Sequence, residues 1–315
     1  MFQFQMDYFR NGQGFHLKTI LLSIISSVIM FLLMLIPGIS ILIGVISLIS
    51  SRDFYGEPSG AGVAIFMLSI LIGFLITIIL FIFVLIPLSY GLLKFYKDTD
   101  SGINPRFNDL FIFLKKGRYV KTLKLTVMIG LISIAMSIAV SIVSSIVQLI
   151  FYAISGTSMA LMLASGFSEN TGVMSVSYVV LMLFMILILF ALYIPLYYIG
   201  IFITNTILVH IDQRSLPTLT KFSIGWNITS KGPHNAWKLL FSNIIYVVVL
   251  AIIIGILAGI FAMILSFMPT ALQIIFGILG FILYIIFLIA MNYFIYGSIM
   301  NFYHKNKNAL YPKNN

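Results

Sequence analysis

Few side chains in this sequence could do acid–base or nucleophilic chemistry, and those few are scattered. Cysteine is absent, which removes a thiolate nucleophile, a thiolate metal site and any disulfide. Glutamate occurs only at Glu57 and Glu169. They could form a paired-carboxylate site only if two separate connections met. His210 and Asp212 are neighbours, but they close an apolar run beside Arg214 and read as a solvated turn. GQGFHL at 12–17 lacks the third glycine of a dinucleotide loop and precedes no βαβ pattern. Neither a P-loop nor H-E-x-x-H occurs. The expectation is a non-enzymatic protein with no catalytic residue, no metal site and no cofactor.

Polar groups inside the apolar runs are the other candidates. Ser133, Ser137, Ser141 and Ser145 recur every four residues and so share one helix face. They read as a polar track within a bundle or, preferably, as a close-packing face where small residues let backbones approach. Ala251, Gly255 and Gly259 form a similar stripe. Asn205, Asn243 and Asn292 sit near the ends of their runs. They could line one cytoplasmic-side cavity, or each could hydrogen-bond between helices or to headgroups. The run interiors carry no ionisable group, which argues against a proton relay, a voltage sensor or a carrier of charged substrates.

The elements that must hold these residues follow from composition. Of 315 residues, 61% are hydrophobic and 8% charged, with mean hydropathy +1.13. A soluble domain carries roughly 25% charged residues, so the solvent here is lipid. Six apolar runs cover 19–50, 63–93, 125–154, 173–208, 239–268 and 270–302. They are continuous rather than alternating, which selects helices over a β-barrel. The fold class is therefore all-α, a polytopic membrane bundle of six transmembrane helices in a single domain. Each run exceeds the roughly 20 residues that cross the hydrocarbon core, so kinks or projections are expected. Pro37-Gly38 should split the first run, leaving a short re-entrant or interfacial piece, and Pro87 and Pro195 should kink the second and fourth. The first run is too long for a signal-peptide core and reads as a retained span.

Charge sets the orientation. With six spans, all of the 18 lysines and arginines except Arg52 fall on the side of the termini, which predicts both termini in the cytoplasm of a multi-pass bacterial plasma-membrane protein. Lys94, Lys97, Arg106, Lys115, Lys116, Arg118, Lys121 and Lys124 crowd one connection. Phe107, Leu110, Phe111 and Leu114 precede the densest part at helical spacing. This segment reads as an interfacial stretch on anionic inner-leaflet lipids, a role compatible with plain topological orientation. The net charge of +10 is spread along every segment of that side and accompanies no recognition motif, so nucleic acid is not an expected partner.

The run endings repeat. IPLSYGLLKFYK at 86–97, IPLYYIG at 194–200 and FIYGSIMNFYHK at 294–305 each set tyrosine beside Gly or Pro before the chain turns polar. The segments before the odd runs echo one another as well: an aromatic stretch, a glycine turn, then a lysine. Three parallel hairpin units are expected, 1–97, 104–208 and 217–305.

IPLSYGLLKFYK, NPRFNDLFIFLKKGRYVKTLKL at 104–125 and WNITSKGPHNAWKLL at 226–240 give the chain a pattern that resembles poorly characterised bacterial six-helix membrane proteins. It is also similar to the membrane domain fused to some glycerophosphodiester phosphodiesterases. The resemblance implies a class of membrane domain and not an activity, since no phosphodiesterase domain follows. The apolar excess beyond the hydrocarbon thickness suggests a cavity or lateral groove for a lipid tail or amphipathic peptide. The expected function is a transport, efflux or immunity-type component handling a lipid or amphipathic molecule, with a separate ATPase as a possible partner. The alternative is a scaffold or accessory subunit that positions an envelope or transporter partner.

Overall fold

The computed structural model describes residues 2–52, 56–164 and 171–312. Within them the chain is helical. A short helix, α1 (Gln3–Asn11), precedes the first long one, α2 (His16–Ser50). α3 (Gly60–Leu80) returns and continues through a π-helical turn, Phe81–Leu85, into α4 (Ile86–Asp100). A 3₁₀ turn at Phe107–Phe111 leads to α5 (Tyr119–Ala164), α6 (Thr171–Asp212), the short α7 (Thr218–Ser230), α8 (Ala236–Ser266) and α9 (Thr270–Leu310). Six of the described stretches are long and apolar enough to cross a membrane. The protein is therefore a multi-pass membrane protein of the all-α class, with the six spans close to their expected positions.

Pro37 does not split the first run as expected: α2 continues unbroken to Ser50. In lipid a freed carbonyl has no water to turn to, so the helix is retained around the proline. Pro195 likewise lies inside the continuous α6. Pro87 has a clear local consequence. Its ring would crowd the carbonyl of Phe83 and cannot donate to it. The chain answers with the π-helical turn just before it, and the Tyr119 hydroxyl donates to the Phe83 carbonyl at 3.0 Å. The orphaned acceptor is thus satisfied by the first residue of α5.

Contacts divide the chain into two units, one made of Met1–Thr126 and Thr204–Asn315, the other of Val127–Ile203. The second unit holds most of the shafts of α5 and α6. There Ser133, Ser137, Ser141 and Ser145 are all exposed. In the first unit the closest helix pair is α2 and α3, and its seam is built of small residues. A Cβ on Gly62 would lie 1.8 Å from the Ser51 hydroxyl, one on Gly44 2.7 Å from Ser69 Cβ, and one on Gly73 3.2 Å from the Pro37 carbonyl. The Ser40 hydroxyl donates to the Ser69 carbonyl at 3.1 Å. By contrast Gly255 and Gly259 of α8 have open space around them. Close backbone approach is therefore made at Gly44, Gly62 and Gly73, and it is the usual means of holding spans together where lipid removes the hydrophobic drive.

Replacing Gly62 by Leu should overpack this seam and cost about 1–3 kcal/mol, read as a lower unfolding temperature in detergent. Gly255→Leu, in open space, should leave it unchanged. Equal losses would show that the seam does not hold the hairpin.

Candidate functional site: a bonded polar cap

The polar segments pack together into one cap at the ends of the spans. α1 lies on α9, with Phe4 and Tyr8 fully buried. Gly297 makes this possible, since a Cβ there would lie 2.2 Å from the Tyr8 ring. Phe4 meets the Phe302 ring edge-on at 5.7 Å. Gln5 donates to the Asn243 side-chain oxygen at 2.7 Å, and Ser298 donates to the same oxygen at 2.9 Å. The 3₁₀ turn folds under α4 in a similar way: a Cβ on Gly91 would lie 2.2 Å from the Leu110 carbonyl oxygen. Leu110 and Phe113 are fully buried, and Leu110 joins a core with Leu22, Leu88 and Phe95. The 107–118 stretch is a 3₁₀ turn followed by loop rather than a regular helix. Leu110 and Phe113 enter the protein, Gly91 letting the backbone in, while Phe111 and Leu114 are half-buried and Phe107 stays exposed.

Five carboxylates hold the cap. Asp212 accepts from Lys97 at 2.5 Å, from the Tyr303 hydroxyl at 2.7 Å and from Lys307. Asp100 accepts from Asn11 at 3.2 Å, from Asn301 at 3.1 Å and from His304. Asp7 pairs with Arg10 at 2.8 Å and Lys305 at 2.5 Å. Lys94 bridges Asp98 and Asp109, the latter at 3.1 Å. Asn306 adds a backbone clamp: its amide donates to the carbonyls of Ile228 and His234, and its oxygen accepts from the His234 N–H, all at 2.9 Å.

A recurring Lys-Thr pair marks the first turns of α2 and α5. The Thr19 hydroxyl meets the Thr99 hydroxyl at 2.5 Å, and the Thr122 hydroxyl meets His210 Nε2 at 3.1 Å. Each joins the start of an odd span to the end of an even one. The repeated dipeptides Lys18-Thr19 and Lys121-Thr122 were the available signal in the sequence.

His210 is where the cap departs from simple pairing. It is buried, and its Nδ1 lies 2.9 Å from the Nζ of Lys221. An ammonium can only donate, so Nδ1 accepts and Nε2 carries the proton toward Thr122. Thr122 in turn donates to the Arg118 carbonyl at 2.9 Å. Lys221 is 1% exposed, and its other partner is the Arg214 carbonyl at 3.2 Å. Burial pushes its ammonium below the ordinary lysine range, and the charge of Lys121 pushes the same way. Burial lowers Arg214 too, with Arg118 adding to it. The Arg214 guanidinium stands over the Phe113 ring at 5.3 Å, and its buried Nε–H has no acceptor.

The residues singled out in the sequence are therefore sorted by the fold. Lys94 and Lys97 are turned inward onto carboxylates. Arg106, Lys115, Lys116, Lys121 and Lys124 are exposed, and Arg118 is half-buried. Asn205 is buried and donates to Thr229 at 2.9 Å, while Asn243 belongs to the Gln5–Ser298 cluster. Asn292 is exposed and donates to the Leu288 carbonyl at 2.8 Å. These three asparagines make separate hydrogen bonds. Lys221 and Arg214 were missed because a lone lysine and arginine in a basic connection look like topology signals. Among the described residues, no three His, Asp or Glu side chains converge as metal ligands.

Comparison with protein families, curated proteins and solved structures finds no match.

Asp212→Asn should cost up to about 3–5 kcal/mol of cap stability, because it leaves two largely buried lysines, Lys97 and Lys307, without their counter-ion. Asp7→Asn, whose partners Arg10 and Lys305 are both more exposed than Lys97 and Lys307, should cost less, about 1–2 kcal/mol. Unfolding in mixed micelles ranks the two, and the reverse order would contradict the assignment. Lys221 supplies a pH signature. Its ammonium is held below the ordinary 10.5, so the protonated form carries a full cost at low pH. That cost is relieved as pH rises through the lowered value toward 10.5. Wild type should gain thermal stability relative to Lys221→Met across that alkaline window, and parallel curves would contradict it.

Proposed function

We propose that this protein is a non-enzymatic plasma-membrane component that handles a lipid or amphipathic molecule, with its cap in the cytoplasm. The single observation that carries the reading is the contrast between cap and spans. The cap is tied by ion pairs and hydrogen bonds between its segments, whereas no residue in the most hydrophobic windows of α8 and α9 is buried. Ile256, Leu257 and Met263 of α8 and Ile274, Phe281 and Leu283 of α9 are each about three-fifths exposed. Spans left this bare present apolar faces at the depth of acyl chains, suited to a lipid tail or an amphipathic peptide. Orientation rests on the side that carries the cations. A separate ATPase partner would be needed if movement of that molecule is driven.

A second reading, a scaffold that positions an envelope or transporter partner, draws on the exposed serine face of α5 and the open glycines of α8. Small-residue faces left without a neighbour suit a partner helix.

Native mass spectrometry of gently extracted protein, paired with lipid transfer between liposomes, separates the two. Retained lipid in stoichiometric amounts with accelerated transfer is the expected result. A retained membrane protein, with lipid at the annular background and no transfer, would replace the first reading by the second.

A further inference from the structure

The cap's ion pairs are unevenly shared. Each of the five carboxylates is engaged, and their basic partners come from α1, α4 and α9: Arg10, Lys94, Lys97, His304, Lys305 and Lys307. Arg118, Lys121, Arg214 and Lys221 make no ion pair among the described residues, although they crowd one corner. Lys221 is held between His210 Nδ1 and the Arg214 carbonyl. The turn from Arg118 to Thr122 closes onto the other side of the same imidazole. Burial lowers the ionisation of Arg214 and Lys221, and the charges of Arg118 and Lys121 act on them in the same direction. Asp109, Asp212 and Asp98 act on Arg214 only through space, because each is bonded to other cations, Asp98 and Asp109 to Lys94 and Asp212 to Lys97 and Lys307.

A buried ammonium with only neutral acceptors is costly, and so is a buried guanidinium N–H with no acceptor at all. Two such debts side by side need an anion. Next to them is an open hollow of about 660 Å³ lined by Ile211, Asp212, Gln213, Arg214, Ser215 and Leu216. Gln213 and Ser215 add neutral donors, and the Phe113 ring backs the guanidinium plane. A weakly hydrated, ring-stacked guanidinium beside further cations is the arrangement that fits a phosphate, whose several oxygens accept from more than one donor at once.

We propose that this corner binds a phosphate group, with Arg214, which lines the hollow, as its direct contact, and with Arg118, Lys121 and the buried Lys221 adding positive charge around it. The group could belong to an anionic phospholipid or to a free phosphate ion. The proposal deepens the lipid-handling reading by giving a headgroup its seat. Its readout is binding alone, so failed transfer leaves it standing and failed binding leaves the reading of the spans standing.

The test uses the full chain in nanodiscs. One arm contains phosphatidylcholine only, titrated with inorganic phosphate; the other contains phosphatidylglycerol without phosphate. Native mass spectrometry counts retained phospholipid, and thermal unfolding reports occupancy by either source. Wild type should bind in at least one arm. R214Q/K121Q should bind about tenfold or more weakly in that arm, as loss of charge-assisted hydrogen bonds implies. K231Q/K238Q removes the same charge from exposed positions that do not line the hollow and should bind like wild type. Binding in the phosphatidylglycerol arm alone assigns the group to lipid, and a response to inorganic phosphate shows that the seat is open to the ion. Binding in neither arm would overturn the proposal. So would equal loss in the two double variants, because diffuse surface charge would then explain the effect. Lys221→Met, which leaves the direct contact in place, should weaken binding less than R214Q/K121Q does.

Discussion

Asp212 stands at the last turn of α6 with its carboxylate between Lys97 of α4 and Lys307 of α9, and the Tyr303 hydroxyl adds a third donor. One anion thus joins the ends of three helices. Lipid tails solvate apolar side chains as well as other side chains do, so the shafts gain little by touching. The ends must therefore be tied by groups that lipid cannot satisfy. Asp100 does the same between α1 and α9 through Asn11, Asn301 and His304. With only eight acidic residues in the chain, five are committed to this task. That scarcity is why the corner around Lys221 has no carboxylate of its own.

Glycine is the second device, and it works at both levels. At Gly91 and Gly297 a missing side chain lets a polar connection fold against a span, as Leu110 and Tyr8 do. At Gly44, Gly62 and Gly73 it lets α2 and α3 approach within the apolar layer. In each case burial and the hydrogen bonds made nearby can offset the backbone freedom that glycine loses on ordering. The result is a chain whose order is concentrated where water begins.

The six spans and the gathering of polar segments were legible in the sequence, because apolar run length and the skew of lysine and arginine are direct physical statements about lipid. The unbroken α2 was not, since a Pro-Gly pair that ends a helix in water does not have to end one in hydrocarbon. The serine ladder of α5 has the right period for packing, yet it stays exposed, because period reports which residues share a face and not what meets that face. Phe107, Leu110, Phe111 and Leu114 suggested a surface helix. The deciding residue, Gly91, lies in a different span. Lys221 shows the same limit. Its burial depends on His210 and Thr122, the latter nearly a hundred positions earlier in the chain.

The contact between α1 and α9 has a consequence for how the protein is made. Gln5 reaches Asn243 across 238 positions, and Lys305 reaches Asp7 across 298. A ribosome delivers α1 before α9. α1 must therefore wait, its Phe4 and Tyr8 uncovered, until α9 has been threaded. It then acts as a latch that closes only when α9 is in place, and a chain truncated before α9 would leave that aromatic face bare.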